Sequence, residues 1–272
     1  MRGMWAIAGA ALLCAGCATL PDAEPAKAFI LKDEKPQYSF SYEAAADVME
    51  LPGLPGVVAK DAAKQHAQLI KDNAQLRKDL PDDPRDVQVY YEASWTRAGD
   101  AGGLASAEMN MSAYGGGAHP ITGFSSRIVD KSTGARLRLS DLFVKPVAET
   151  GLPAALCKGV ADEKAARETP VDNLGEPLAC DGKNPNVRMD GPVVFVTSTE
   201  AGKAAGLRFL FGPYEVGSYA EGPYVIDVPL TAFAKDLKPK YAAGFGGAPS
   251  PDDPANPEDN PEEPAQPDAA PN

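Results

Sequence analysis

From Tyr38 the chain alternates apolar and polar positions. Tyr38, Phe40 and Tyr42 are separated by serines, the period of a strand with one buried face. LPGLPG comes next and reads as a stiff turn. Then Val58, Ala62, His66, Leu69, Leu76 and Leu80 recur at helical spacing, with Lys, Asp and Gln on the opposite face, as in an amphipathic helix lying on a core. The sequence PDDP stops it, because proline lacks a donor and disfavours helical geometry in the residue before it. DVQVYYEASWTR and LASAEMNMSAYGGG then read as two strands of a hairpin about AGDAGG. A second hairpin is predicted about Ser132, Thr133 and Gly134, with Ser140 and Asp141 as caps for the next element. Residues 147–168 are Ala-rich and predict a second helix, carrying Cys157. VVFVTSTEAG, AGLRFLF and YVIDVPL predict three more strands, with a short helix after Leu230.

This order is strand, long helix, strands, helix, strands. It predicts an α+β fold: antiparallel sheets with one long N-terminal helix and a second helix, in two small lobes. The lobes are placed at 37–128 and 129–240. Residues 17–36 read as a polar tether. Residues 241–272 read as an acidic, Pro-rich tail; from Ala248 onward no aromatic or branched aliphatic residue occurs, so that stretch has nothing with which to build a core.

The ends change the picture. MRGMWAIAGAALLCAGCATL has one early base and an apolar run from Met4 to Leu13, long enough for a signal peptide and too short to span a bilayer. Ala15 and Gly16 before Cys17 resemble a lipobox, with Cys14 where that motif usually has Leu. The expectation is cleavage after residue 16 and lipidation of Cys17, giving a bacterial envelope lipoprotein held by its acyl chains. Ala18 is not the Asp of an inner-membrane retention signal, so in a host with two membranes the expected place is the periplasmic face of the outer one. In an oxidising compartment the remaining cysteines, Cys157 and Cys180, read as a disulfide staple.

The formal net charge is −12. Seven acids fall in the last 25 residues, and without these and Arg2 the body carries −6. Such a surface argues against nucleic acid, which needs Lys and Arg against phosphates, and is compatible with a basic protein partner.

The chemistry-bearing residues are sparse. The only histidines are His66, on the apolar helix face and read as packing, and His119 in a loop. HExxH and GxSxG are absent, and the CxxC at Cys14–Cys17 falls in the signal segment and the lipobox, so neither a zinc site nor an activated serine is predicted. DKSTGARLRLSD has Gly at the fifth position and three cations, which fits a hairpin and not a calcium loop. Catalytic residues, metal ligands and cofactors are therefore not predicted. Two segments combine aromatics, glycines and polar groups: SAYGGGAHPITG and FGPYEVGSYAEGPY. They nominate Tyr114, His119, Tyr214, Glu215 and Tyr219 as a binding area, since tyrosine supplies flat amphipathic contact surface.

These segments also carry a resemblance. YGGGAHP resembles the Tyr-x-Gly-Gly-Ala-His signature of the extracellular domain of RsiV-type anti-sigma factors, shared with the accessory domain of PdaC-type peptidoglycan deacetylases. DKSTGARLRLSDLF and FGPYEVGSYAEGPYVIDVPL resemble that family's later motifs, in the same order. The resemblance covers about residues 38–236 and is strongest from 112 onward. It implies a two-lobed α+β module facing the envelope exterior, which in the anti-sigma members binds lysozyme. Neither a sigma-binding segment nor a deacetylase domain is recognisable beside it, so a binding role carries over and those outputs do not. The expected function is a lipid-anchored, non-catalytic module binding a lysozyme-like muramidase or peptidoglycan. The rivals are an envelope hydrolase and a structural or assembly lipoprotein.

Overall fold

The computed structural model describes residues 26–81, 87–170, 178–179, 186–187 and 191–253. Cys17 and the signal segment lie outside these residues, as do Cys180 and positions 254–272.

A six-stranded sheet forms the first layer, in the order β1 (Phe29–Lys35), β2 (Tyr38–Ala44), β3 (Val89–Ala101), β4 (Leu104–Tyr114), β5 (Ile121–Asp130) and β6 (Arg136–Leu137). Neighbours are antiparallel except β2 and β3, which run parallel. A parallel pair needs a crossover. It is supplied by a short helix, α1 (Ala46–Met49), and the 26-residue α2 (Leu54–Asp79). The second LPG belongs to this helix and not to the turn. Proline is tolerated in the first turn, where its missing N–H has no partner to lose, and Gly53 before it takes a left-handed φ of 84°.

Leu54, Val58 and Ala62 of α2 are buried in a core with Phe40, Tyr42 and Trp95. The alternation read from Tyr38 is now explained, since Phe40 and Tyr42 point at the helix. Tyr42 brings a polar tip into that core, but its hydroxyl donates to Asp61 at 2.8 Å and accepts from Trp95 Nε1 at 2.8 Å. Burial without those partners would be costly. His66 packs on Phe40, with ring centroids 4.8 Å apart, and its Nε2 lies 2.9 Å from Asp33.

Asp33 belongs to β1, in the stretch read as tether. FILKDEK is half charged and has no period-two signal, yet it pairs along its length with β2 as the outer strand. Backbone pairing needs no particular side chain, and charged side chains suit an edge open to water.

The second layer is a three-stranded antiparallel sheet with Ala204–Phe211 in the centre, between Tyr224–Pro229 and Val193–Thr197. After β6 come a 3-10 turn at Leu139–Leu142, the helix α3 (Leu152–Ala166), two two-residue strands β7 (Leu178–Ala179) and β8 (Asn186–Val187), then β9 (Val193–Thr197), β10 (Ala204–Phe211) and β11 (Tyr224–Pro229). Asp141 caps the turn by accepting the Arg138 N–H at 2.8 Å. Leu152, Leu156 and Val160 of α3 cover this sheet through Phe209, Tyr224 and Ile226. β10 is buried at all eight positions, which accounts for a run that is apolar except at Arg208.

The expected lobe boundary at 128/129 cuts through β5. The hairpin about Gly134 completes the first sheet, because β6 pairs back onto Ile128 and Val129.

The two sheets meet at the free edge of β9. The N–H groups of Val193 and Phe195 donate to the hydroxyls of Ser126 and Ser106, each at 2.9 Å, and that of Thr197 to Asp253 at 2.9 Å. An open edge is thereby closed by side chains instead of another strand. The approach is so close at Gly99 that a Cβ there would lie 2.5 Å from the Phe195 carbonyl oxygen.

Asp253 also corrects the start of the tail. Residues 241–253 include α4 (Pro239–Ala242, overlapping their start), the buried Phe245, and a bridge from Pro249 to Ser198. Asp253 is 4% exposed and accepts from Arg208 at 3.0 Å; Arg208 holds Asp227 through two further bonds of 2.7 and 2.8 Å. Composition marked the stretch from Ala248 as coreless, and up to Asp253 it lends backbone bonds and one carboxylate to an edge that other residues built. Glu108 lies nearby and is buried; desolvation pushes its carboxyl pKa up against the pull of Arg208.

Candidate functional site

Two loops converge at one end of the layered sheets. The first, 115–120, joins β4 to β5; the second, 212–223, joins β10 to β11. They can touch because Gly212 has no side chain: a Cβ there would come within 3.3 Å of the Thr122 carbonyl oxygen. At this seam His119 stacks on Tyr219 with ring centroids 3.8 Å apart and lies 6.2 Å from Tyr214. Tyr214 and Tyr219 are 5.7 Å apart. Two loops about a hundred positions apart in sequence thus form one aromatic cluster.

The hydrogen bonds hold the cluster in place. His119 Nδ1 lies 2.9 Å from the Pro120 carbonyl oxygen and Nε2 lies 3.2 Å from the Tyr214 hydroxyl. In the neutral ring the carbonyl takes the Nδ1–H and the tyrosine donates to Nε2. Tyr219 donates its hydroxyl to the same Pro120 carbonyl at 3.0 Å. Tyr214 is 62% exposed and adopts φ of 71°, a left-handed conformation unusual outside glycine. Ile121, next to Pro120, is 65% exposed.

Glu215 faces its own loop. Its carboxylate accepts the Gly212 N–H at 2.6 Å, so it braces the turn beneath Tyr214. Tyr114 is not in the cluster; its hydroxyl donates to the Gly117 carbonyl and its ring lies 6.1 Å from Tyr90.

The second loop is anchored from below by residues that sequence reasoning passed over. Glu221 accepts from Lys164 of α3 at 2.7 Å, from Tyr224 at 2.6 Å and from the Ser218 N–H at 2.8 Å. Lys164 is fully buried. Chiefly the Lys164 bond, then the Tyr224 bond, bring the Glu221 carboxyl down to about 2. Arg167 adds bonds to the carbonyls of Glu221 and Pro223 and lies over the Tyr224 ring at 4.1 Å. The Ser218-x-x-Glu221 spacing, a capping-box pattern, was a signal open to the sequence. Cys157, two turns before Lys164 on α3, is disulfide-bonded; Cys180, its expected partner, lies outside the described residues.

Both His119 nitrogens are engaged within the cluster, by the Pro120 carbonyl and the Tyr214 hydroxyl. Among the described residues no group of three or more His, Cys, Asp or Glu side chains could hold a metal. No helix among them is long and apolar enough to cross a membrane.

The architecture defines an α+β module of two packed sheets, with an exposed aromatic cluster where two loops meet. Residues 141–231, which contain α3, the second sheet and the Tyr214–Tyr219 loop, match the family described as a protein of unknown function, DUF3298. Two solved structures of that family are similar. One, from Bacteroides fragilis NCTC 9343, is 15% identical with a TM-score of 0.50, covering 78% of this chain and 92% of its own. The other, from Pseudomonas aeruginosa PAO1, is 16% identical with a TM-score of 0.49, covering 82% and 98%. The first likeness is one of fold. No curated protein matches the chain.

Proposed function

We propose that this chain is a lipid-anchored, non-catalytic module of the bacterial cell envelope that binds a basic, lysozyme-like protein through the Tyr214–His119–Tyr219 surface. The observation that carries the reading is the combination of exposure and rigidity at Tyr214. An exposed aromatic fixed by a histidine, a braced turn and a buried ion pair gives contact area with little ordering cost on binding. Ile121 extends the apolar area beside it. The body charge of −6 favours encounter with a basic partner. The envelope location rests on the lipobox-like AGC at 15–17, and the Cys157–Cys180 staple on that location.

Titration calorimetry of the mature chain with a lysozyme, at low and moderate salt, tests the binding. Micromolar or tighter affinity is expected. Tyr214→Ala should weaken it at least about tenfold, as loss of a central aromatic anchor does, with little loss of stability because the ring is mostly in water. Absence of binding at micromolar concentrations would overturn the proposal. Binding to peptidoglycan sacculi, unaffected by Tyr214→Ala, would overturn the choice of partner. The anchor is tested by fractionation: Cys17→Ser should release the protein from membranes.

A further inference from the structure

The face of α2 turned away from the sheet is basic. Lys60, Lys64, Lys71 and Lys78 are all exposed. At about 100° per residue they fall within about 40° of one another around the helix, and they run about 27 Å along it. Val58, Ala62 and Leu69, which pack toward the sheet, lie on the opposite side. Ala63, Ala67 and Ala74 stand between the lysines and are exposed too.

None of the four makes an ion pair among the described residues, whereas exposed lysines elsewhere do: Lys32 with Glu43, Lys158 with Asp162 and Lys203 with Glu200. The acids of α2 sit about a quarter turn away and are engaged by other groups. Asp61 accepts from Tyr42 at 2.8 Å, Asp72 from Gln68 at 2.7 Å and Asp79 from Gln75 at 2.8 Å. Lys60 and Lys64, one turn apart, repel each other and give the helix nothing in return. The N-terminal segment enters on this same side. β1 runs beneath α2, with Asp33 2.9 Å from His66 of the helix, and Phe29 at its start packs on Tyr42 in the α2 core. Nine residue steps separate Cys17 from Ala26, a span of at most about 30 Å.

We infer that the lysine face of α2 lies against an anionic phospholipid bilayer, the one to which the chain is tethered. The inference rests on the lipid anchor proposed for Cys17 and is separate from the partner proposed at Tyr214. Acyl chains on Cys17 hold the body within about 30 Å of the headgroups, and β1 brings the α2 side in first. Ammonium groups that come within a Debye length, about 8–10 Å, feel the negative surface potential. Each is worth roughly a fivefold gain in occupancy of the surface. The body as a whole is acidic and is repelled, so the field turns the molecule until α2 faces the lipid. The apolar side of α2 is already spent on the core. The helix therefore rests on the headgroups without inserting, and its hold is sensitive to salt.

To separate this contact from the anchor, the mature chain carries a hexahistidine segment in place of Cys17 and is held on vesicles by a nickel-chelating lipid. A donor dye is placed at Ala67→Cys, among the lysines, or at Val144→Cys, an exposed position beside the core of the second sheet. The acceptor dye is on a lipid headgroup. On vesicles of phosphatidylcholine with roughly one-third phosphatidylglycerol, energy transfer from position 67 should exceed that from 144. The excess should vanish on pure phosphatidylcholine and at about 1 M salt. Lys64→Gln with Lys71→Gln, both on the surface and tolerated by the fold, should lower the ratio of the α2-down orientation to all others about twentyfold. Equal transfer from the two positions, the same excess on neutral vesicles, or an excess that survives the double replacement would each overturn the inference. So would an excess seen only after deletion of residues 254–272, because the lysines would then be covered by the acids of the chain's own tail. Failure of the anchor itself shows separately, in the Cys17→Ser fractionation.

Discussion

Replacing Glu221 by glutamine leaves Lys164 charged, with none of its surface in water, and takes away the carboxylate that faces it. Breaking a buried pair by removing one partner typically costs about 3–5 kcal/mol, because the remaining charge is uncompensated. The same pairing governs the titration of Glu221. Its carboxyl is brought from 4.5 to about 2, chiefly by the Lys164 bond. Because the folded-state value is the lower one, this stability is fully present above the ordinary glutamate value and is lost as pH falls toward 2. We therefore expect Glu221→Gln to lose about 3 kcal/mol in urea denaturation at pH 7, and less at pH 3, where the native carboxylate is itself losing its advantage. Lys164→Met combined with Glu221→Gln should recover most of the loss, since an apolar side chain in that site has no charge to bury. The Tyr219 ring should also loosen from His119, visible as a change in the ring-current shift of the His119 protons. A loss below about 1 kcal/mol, or a double variant no more stable than Glu221→Gln alone, would refute the role given to this pair.

Gly99→Ala places a methyl group 2.5 Å from a backbone oxygen of β9; a loss of about 2 kcal/mol or more is expected by denaturant titration, since backbone must move to admit it. Asp253→Ala leaves the Thr197 N–H uncapped and removes one of two carboxylates from the buried Arg208. About 2–3 kcal/mol should be lost, with faster hydrogen exchange at Thr197; unchanged exchange there would show that the segment before residue 254 does not close the β9 edge. Leu156→Ala, in the fully buried face of α3, should cost about 2–5 kcal/mol by leaving a cavity.

Local rules accounted for much of this fold. Tyr38, Phe40 and Tyr42 fall on the strand that their alternation predicts, and Val58 and Ala62 are buried on the helix face their spacing selects. Burial of one face is itself what imposes a period, so these elements were readable. β1 was missed because an outer strand is held by backbone bonds that its side chains do not advertise. The second LPG was misplaced because proline and glycine mark turns and helix starts alike. The extent of the tail was misjudged because Asp253 acts singly, and one carboxylate among seven has no composition of its own.

Of the five residues nominated as a binding area, the structure gathers Tyr214, His119 and Tyr219 into one cluster, turns Glu215 into a brace and leaves Tyr114 apart. Residue type alone could nominate them, since aromatics among glycines are scarce and conspicuous. The chain by itself determined the α+β class, the long amphipathic helix and the scarcity of histidines, because these depend on period and inventory. Only the tertiary structure decided which loops meet, which acids are spent on structure and which lysines go unpaired. Those outcomes depend on distances between segments a hundred residues apart, and such distances are set by how the two sheets pack.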